Sequence, residues 1–507
     1  MRSAGYKSLI LITERGAGPT QAAASVATAS DPLHISIDDS PSSLCDSKIC
    51  AKYQSRINGP AFECFRPFVG PPRALPASLI SPIFAAFLLD CDADLASLGR
   101  CELESNCAMT LLEVMPSFYK KEAERQVLVN RALSTFLGQQ LTLLQPNVEE
   151  STSRSDGGLV VSADGIDALV LLTEHKNEMG SGDPYFQLQR TYGLFWESPE
   201  RRDSDLHRFD CCPALALELV GPLLRVNALA SLHANRVLCE PLTAFLPVLQ
   251  LRDQPAAMAR LVVTLRALRT AVIKLRSHYK GITPDQASSL VAAPGFSRDP
   301  VIALPYPLRQ TARFSEVKQL CDNKLLYAAR DKARDNILVC VKFSRRGYGR
   351  EVHAAWAEAG HAPTLYEATL LPGGLTMVVM ELLARTDSWR MLNEIPHSEA
   401  APAWAAARAA LTVVQKKALP SGEFGVHGDC RAINVLLRRV LSSGSYDVRF
   451  VDFDGAGPAG VRTYPPFLSP AVQWPAGAIP GTALFMQHDK DFLESEQLGS
   501  LSLGNVR

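Results

Sequence analysis

The apolar and polar positions of this chain change period several times, and the changes mark its elements. The first sustained apolar block is Ser78 to Leu89 (SLISPIFAAFLL). The residues before it are rich in Ala, Ser, Thr, Gly and Pro without a sustained period, and they read as a disordered or loosely packed leader. From Pro116 to Leu137 apolar residues recur at helical spacing (Phe118, Val127, Leu133, Leu137), Gly138 supplies a stop, and the polar face carries Glu122 and Glu124. Strand patterns follow at Gly157 to Ser162, at Ile166 to Lys176 after the turn signal Ala163-Asp164-Gly165, at Ala214 to Val220 and at Arg236 to Glu240. The run after Lys176, as far as Tyr192, reads as a polar helix. Pro255 to Tyr279 form another helix, and Lys280 to Pro307, with five prolines, a linker.

Beyond the linker come an apolar strand, Ile337 to Phe343, bearing the single charge Lys342, and a helix from Arg350 to Ala359 that opens with Glu351. The strand Thr376 to Met380 runs into Glu381-Leu382, and a last strand spans Tyr446 to Val451. The predicted organisation is a leader (1–75), an α/β domain (76–250), a helix and linker (251–307), an α+β two-lobed domain with a short C-lobe (308–495) and a tail (496–507).

Composition narrows the classes. The 507 residues are 47% hydrophobic, enough for real cores, and Lys+Arg and Asp+Glu balance at 52 each. That balance argues against a general nucleic-acid coat and leaves only local basic patches for such contacts. The helix bearing Arg260, Arg266, Arg269, Lys274, Arg276 and Lys280 reads as a solvated face, with phosphate tracking as its functional alternative. The 12 cysteines have neither zinc-site nor disulfide-framework spacing, and no apolar run is long enough to span a membrane. An intracellular chain, cytoplasmic or nuclear, without membrane partners, is the expectation.

The chemistry-bearing pattern lies near the C-terminus. In GVHGDCRAINVLL (Gly425 to Leu437), Asp429 precedes Asn434 by five residues, and the last strand ends in Asp452-Phe453-Asp454-Gly455. This order matches the H-R-D-x-x-x-x-N loop and D-F-G motif of protein kinases, with Gly428 in place of Arg. ATP-dependent phosphoryl transfer needs a carboxylate at the acceptor hydroxyl and hard oxygens for Mg²⁺. Asp429 is the expected base, Asn434 and Asp452 the expected metal ligands, and Arg431 the cation steadying the transferred phosphate. Lys342 would grip ATP phosphates with Glu351 as its ion-pair partner, and Glu381-Leu382 would line the adenine pocket. No G-x-G-x-x-G stands between Phe314 and Lys342, no A-P-E follows Asp452, and little chain remains for a peptide platform. The histidine-glycine-aspartate form also occurs in aminoglycoside and choline kinases. The acceptor, protein or small molecule, stays open, as does a pseudokinase that binds nucleotide without transfer.

In the first domain Glu174-x-Lys176 ends a strand and resembles the PD-(D/E)xK restriction-endonuclease-like core. There Asp156 and Glu174 would bind a divalent metal, Lys176 would orient a water, and Glu122 is a weaker ligand. Asp167, about 23 Å along the same strand from Glu174, is excluded from sharing that ion. This run, Cys212 to Asn227 (CPALALELVGPLLRVN), the His-Gly-Asp loop and Tyr464 to Gln473 (YPPFLSPAVQ) together resemble fungal Crinkler-type proteins. The resemblance implies a restriction-endonuclease-like domain, able to meet nucleic acid, followed by an atypical kinase-like domain. A metal-dependent nuclease regulated by that second domain is the other reading.

Overall fold

The computed structural model describes residues 62–64, 75–144, 155–163, 165–177, 183–232, 237–249, 254–282, 304–309, 312–321, 324–345 and 347–503. The turn residue Asp164, most of the expected leader and most of the expected linker lie outside them. The described residues fall into two compact units, the first within 26–310 and the second within 311–507.

In the first unit the elements are β1 (Phe62–Cys64), α1 (Pro82–Cys91), α2 (Glu102–Val114), α3 (Glu122–Leu137), β2 (Gly157–Ala163), β3 (Ile166–Lys176), α4 (Pro184–Glu197), β4 (Ala214–Val220), β5 (Leu223–Ser231), β6 (Val237–Pro241), β7 (Leu246–Pro247) and α5 (Gln254–Lys280). They build a mixed sheet of order β1-β6-β5-β4-β3-β2, with β7 beside β5. The β3–β4 and β1–β6 pairs are parallel and the others antiparallel. Strand β3 is buried along almost its whole length because β2 and β4 flank it and α3 and α4 pack on it. Helix α5 packs on α1 and α2, and its basic series is partly spent within the fold. Arg266 and Arg269 stand 3.9 and 3.7 Å from Glu104, and Lys274 3.9 Å from Asp90.

Several expectations need correction. Phe62–Cys64, placed in the leader by composition, hydrogen-bonds in parallel with Val237–Cys239. Helix α3 starts at Glu122, not Pro116, and Phe118 is 97% exposed and Val127 largely so. The buried stripe is Arg125, Val129, Leu133 and Phe136. Arg125 turns inward because its guanidinium donates to the carbonyls of Met115 and Ser117, satisfying the end of the preceding helix. Helix α4 is not polar-faced: Tyr185, Phe186, Leu188, Tyr192, Phe195 and Trp196 are all buried against the sheet. Asp183 caps it by accepting from the Tyr185 N–H, and Pro184 fits its first turn.

The second unit has β8 (Phe314–Gln319), β9 (Leu326–Asp331), β10 (Ile337–Ser344), α6 (Arg350–Glu358), β11 (Leu365–Leu370) and β12 (Thr376–Glu381) in an antiparallel sheet of order β11-β12-β10-β9-β8. There follow β13 (Arg390–Met391), α7 (His397–Val414), β14 (Gly425–Val426), β15 (Val435–Arg439), β16 (Tyr446–Phe450), β17 (Gly457–Pro458) and α8 (Met486–Leu503). Strands β13, β15 and β16 form one small sheet and β14 and β17 another. The expected tail is not one: α8 runs through residue 496 to Leu503. Trp356, Trp404, Phe450, Phe453 and Phe492 centre the core beneath the small sheets. A second apolar cluster, including Ala328, Cys340, Leu382, Leu436 and Val451, joins the five-stranded sheet to β15 and the end of β16. Among the described residues no helix is long and apolar enough to cross a membrane.

Candidate active site

The loop after β14 is set by its backbone. Gly428 has φ +76°, and a Cβ there would stand 3.2 Å from the Gly455 carbonyl oxygen, so an arginine at this position would be strained and crowded. His427 is fully buried between Trp356 and Phe453, and its Nε2 bonds the Val451 carbonyl at 2.9 Å. Burial lowers its pKa, so it is a neutral strut joining the Asp429 loop to the end of β16.

Asp429 is held on both oxygens by Arg431, at 2.5 Å from Nε and 2.8 Å from Nη2, and the Asn434 amide donates to Oδ2 at 3.0 Å. Arg431 therefore rests on the expected base. Asn434 is fully buried, and its Oδ1 has no hydrogen-bond partner among the described residues. The Asn434 carbonyl accepts from the Val451 N–H at 2.9 Å, which ties this loop to Asp452 one residue on.

Asp452 adopts φ +74° as the chain leaves β16. Its Oδ1 accepts from the Lys342 ammonium, which also stands 2.7 Å from Asp454 Oδ1. Burial alone would raise the Asp452 carboxyl, but Lys342 and then Lys324 outweigh it and hold it far below the usual range. Burial and Asp452 leave the Asp454 carboxyl raised despite Lys342. Phe453, between them, stacks on His353 with ring centroids 4.5 Å apart. The expected Lys342–Glu351 pair is not made. Lys342 turns to the two aspartates, while Glu351, in the first turn of α6, is exposed. Glu381 accepts from the Thr364 N–H and hydroxyl at 3.0 and 3.2 Å, and Leu382 belongs to the apolar cluster between the sheets.

Two residues escaped the sequence reading. Asp489 of α8 is fully buried and accepts the N–H groups of His427 and Gly428 at 2.7 and 2.9 Å, anchoring the loop from 61 and 62 residues away. Lys324, in the turn between β8 and β9, contributes to the field at Asp452. Asp489 is one of four acids in α8, with Asp491, Glu494 and Glu496, so no local signal set it apart, and nothing local marked Lys324.

In the first unit Asp156 lies beside the Gly157–Thr173 pair, and its Oδ2 accepts the His175 N–H at 2.7 Å. Lys176 Nζ lies 3.2 Å from Glu122 Oε1, 3.3 Å from Glu174 Oε1 and 2.8 Å from the His175 carbonyl. Burial pushes Asp156 up to about 6, and burial together with Asp156 pushes Glu174 up to about 8. Among the described residues no three His, Cys, Asp or Glu side chains are grouped as a metal site.

No family model matches the chain, and no curated protein is similar to it. Its structure is similar over 37% of its length to 65% of the vaccinia related kinase 3 chain, at 16% identity and a TM-score of 0.27. It is similar over 39% of its length to 72% of the Cydia pomonella granulovirus kinase PK-1, at 14% and 0.27. It is similar over 27% to 45% of a chain of the yeast RNA Pol II CTD kinase CTDK-1 complex, at 17% and 0.19. Likenesses of this size leave the functional reading to the geometry of the site.

Proposed function

We propose that residues 311–507 form an atypical protein-kinase-like phosphotransferase that uses ATP and Mg²⁺. The observation that carries this reading is the joining of Asp429, Asn434, Asp452 and Lys342, drawn from separate elements, through the Asn434–Val451 backbone bond and the Lys342–Asp452 pair. The donor set fits Mg²⁺: Asp452 and the unpartnered Asn434 Oδ1 are hard oxygens, and this ion takes one or two protein ligands beside phosphate oxygens. Bound with nucleotide, magnesium would neutralise charge on the phosphate oxygens. Lys342 would hold the phosphates with Asp454 as its remaining counter-ion. Leu382, Cys340 and Leu436 would sandwich the base, with Glu381 bracing the strand end. Asp429 would take the acceptor hydroxyl proton once Arg431 swings from it toward the transferred phosphate.

The test is turnover of labelled ATP with protein and small-molecule acceptors and with the chain itself. Asp429→Asn should abolish transfer while ATP affinity stays close to wild type, because the base acts mainly in the transition state. ATP binding with no transfer to any acceptor would instead identify a pseudokinase.

A second reading concerns the first unit, where Asp156, Glu174 and Glu122 gather around Lys176. The raised carboxyls of Asp156 and Glu174 beside one ammonium support a restriction-endonuclease-like, metal-dependent nuclease site. There Asp156 and Glu174 would hold the ion and Lys176 orient the water. Unchanged Mg²⁺- or Mn²⁺-dependent cleavage of DNA and RNA by Lys176→Ala would remove this reading.

A further inference from the structure

We propose that Lys324 is the phosphate-gripping residue of the β8–β9 turn, taking over from the glycine lid that this chain lacks; the inference rests on the nucleotide reading of the cleft. No glycine lies between Phe314 and Lys342, so the turn cannot lay a run of bare backbone N–H groups on phosphates. Its geometry instead presents a side chain. The Leu320 N–H donates to the Leu326 carbonyl at 2.8 Å, the Lys324 N–H to the Cys321 carbonyl at 3.1 Å, and the Gln319 amide donates to the Cys321 and Lys324 carbonyls at 3.0 and 3.1 Å. These bonds tie together the described residues on either side of the turn. The Phe343 N–H donates to the Leu325 carbonyl at 2.9 Å and Leu326 pairs with Lys342, which places Lys324 beside the Lys342 end of β10.

The Lys324 ammonium has no hydrogen bond or ion pair among the described residues, although its side chain is half-buried. Burial lowers its pKa, and Asp452, Cys321 and Asp454 counter that while Lys342 adds to it. A partly desolvated ammonium without an acceptor is costly to hold. The two aspartates are already engaged by Lys342, and a divalent cation on Asp452 would leave Lys324 facing net positive charge. A polyphosphate supplies the missing acceptor and restores the balance. Lys324 then acts as a second point charge on the phosphates beside Lys342.

The experiment is calorimetry on the full chain with Mg²⁺-ATP and with adenosine, for wild type, Lys324→Ala and Lys324→Arg. A charge-assisted contact to phosphate predicts that Lys324→Ala weakens ATP binding by about tenfold or more and leaves adenosine affinity unchanged. Lys324→Arg should stay within about threefold of wild type, since the charge is kept. Unaltered ATP affinity in Lys324→Ala, with wild type binding ATP, overturns this inference and leaves the nucleotide reading standing. Equal losses for ATP and adenosine also overturn it, by making the residue structural. A wild type that binds neither ligand overturns both.

Discussion

Asp489 offers the sharpest mechanical test of how the Asp429 loop is held. Asp489→Ala leaves the buried N–H groups of His427 and Gly428 without acceptors. Each unpaired buried donor costs about 1–3 kcal/mol, so the substitution should destabilise the second unit by about 2–6 kcal/mol. Asp489→Asn keeps one carbonyl acceptor and should cost about half as much. Four of the five tryptophans, Trp356, Trp389, Trp404 and Trp474, lie in this unit, so urea unfolding of the full chain followed by tryptophan fluorescence reports mainly on it. With a slope of about 2 kcal/mol/M, the midpoint should fall by roughly 1–3 M. Burial pushes the Asp489 carboxyl up to about 7 from 3.8 despite its two donors. Its folded pKa is raised, so its contribution is complete below pH 3.8 and is lost as pH rises through 7. The gap between wild type and Asp489→Ala should therefore narrow from pH 5 to pH 8. A midpoint within about 0.3 M of wild type at pH 5 would refute the reasoning, since the bonds would then carry no net stability.

Two further outcomes follow from the pairs. Glu351→Gln should leave Mg²⁺-ATP affinity unchanged and Asp454→Asn should weaken it, because Lys342 pairs with Asp454 and not with the exposed Glu351; calorimetry that ranks them the other way contradicts this. Glu174 is raised from 4.5 to about 8, so its stabilising contribution is present below pH 4.5 and lost as pH climbs through 8. Glu174→Gln should accordingly gain thermal stability relative to wild type between pH 5 and pH 9, and a pH-independent difference would show that the carboxyl does not titrate in this range.

The legible parts of this chain were those with local period or fixed spacing. The strands at Ile166–Lys176 and Ala214–Val220 could be bounded because their mostly apolar runs feed a sheet flanked by helices. The spacing of Asp429, Asn434 and Asp452 singled them out without a structure. Their partners were harder, because pairing is settled by tertiary placement. Lys342 was assigned to Glu351 by order along the chain, yet the turn after β16 carries two carboxylates to it. Arg125, which the helical period does not single out, is buried because it closes the end of α2. The run after Lys176 as far as Tyr192 read as a polar helix, although packing against the sheet buries Tyr185, Phe186, Leu188 and Tyr192. Asp489 and Lys324 act on groups far away in sequence, where no periodicity reaches.

The central claim is that Asp452 and Asn434 hold a divalent ion against nucleotide phosphates. The most direct measurement is ATP affinity of the full chain by calorimetry, with and without Mg²⁺, for wild type and Asp452→Asn. The account predicts that Mg²⁺ tightens wild-type binding by about tenfold or more, as expected for charge-assisted contacts, and that Asp452→Asn loses this gain while binding metal-free ATP at least as well as wild type. Equal affinities with and without Mg²⁺ in wild type, or an undiminished Mg²⁺ effect in Asp452→Asn, would contradict it.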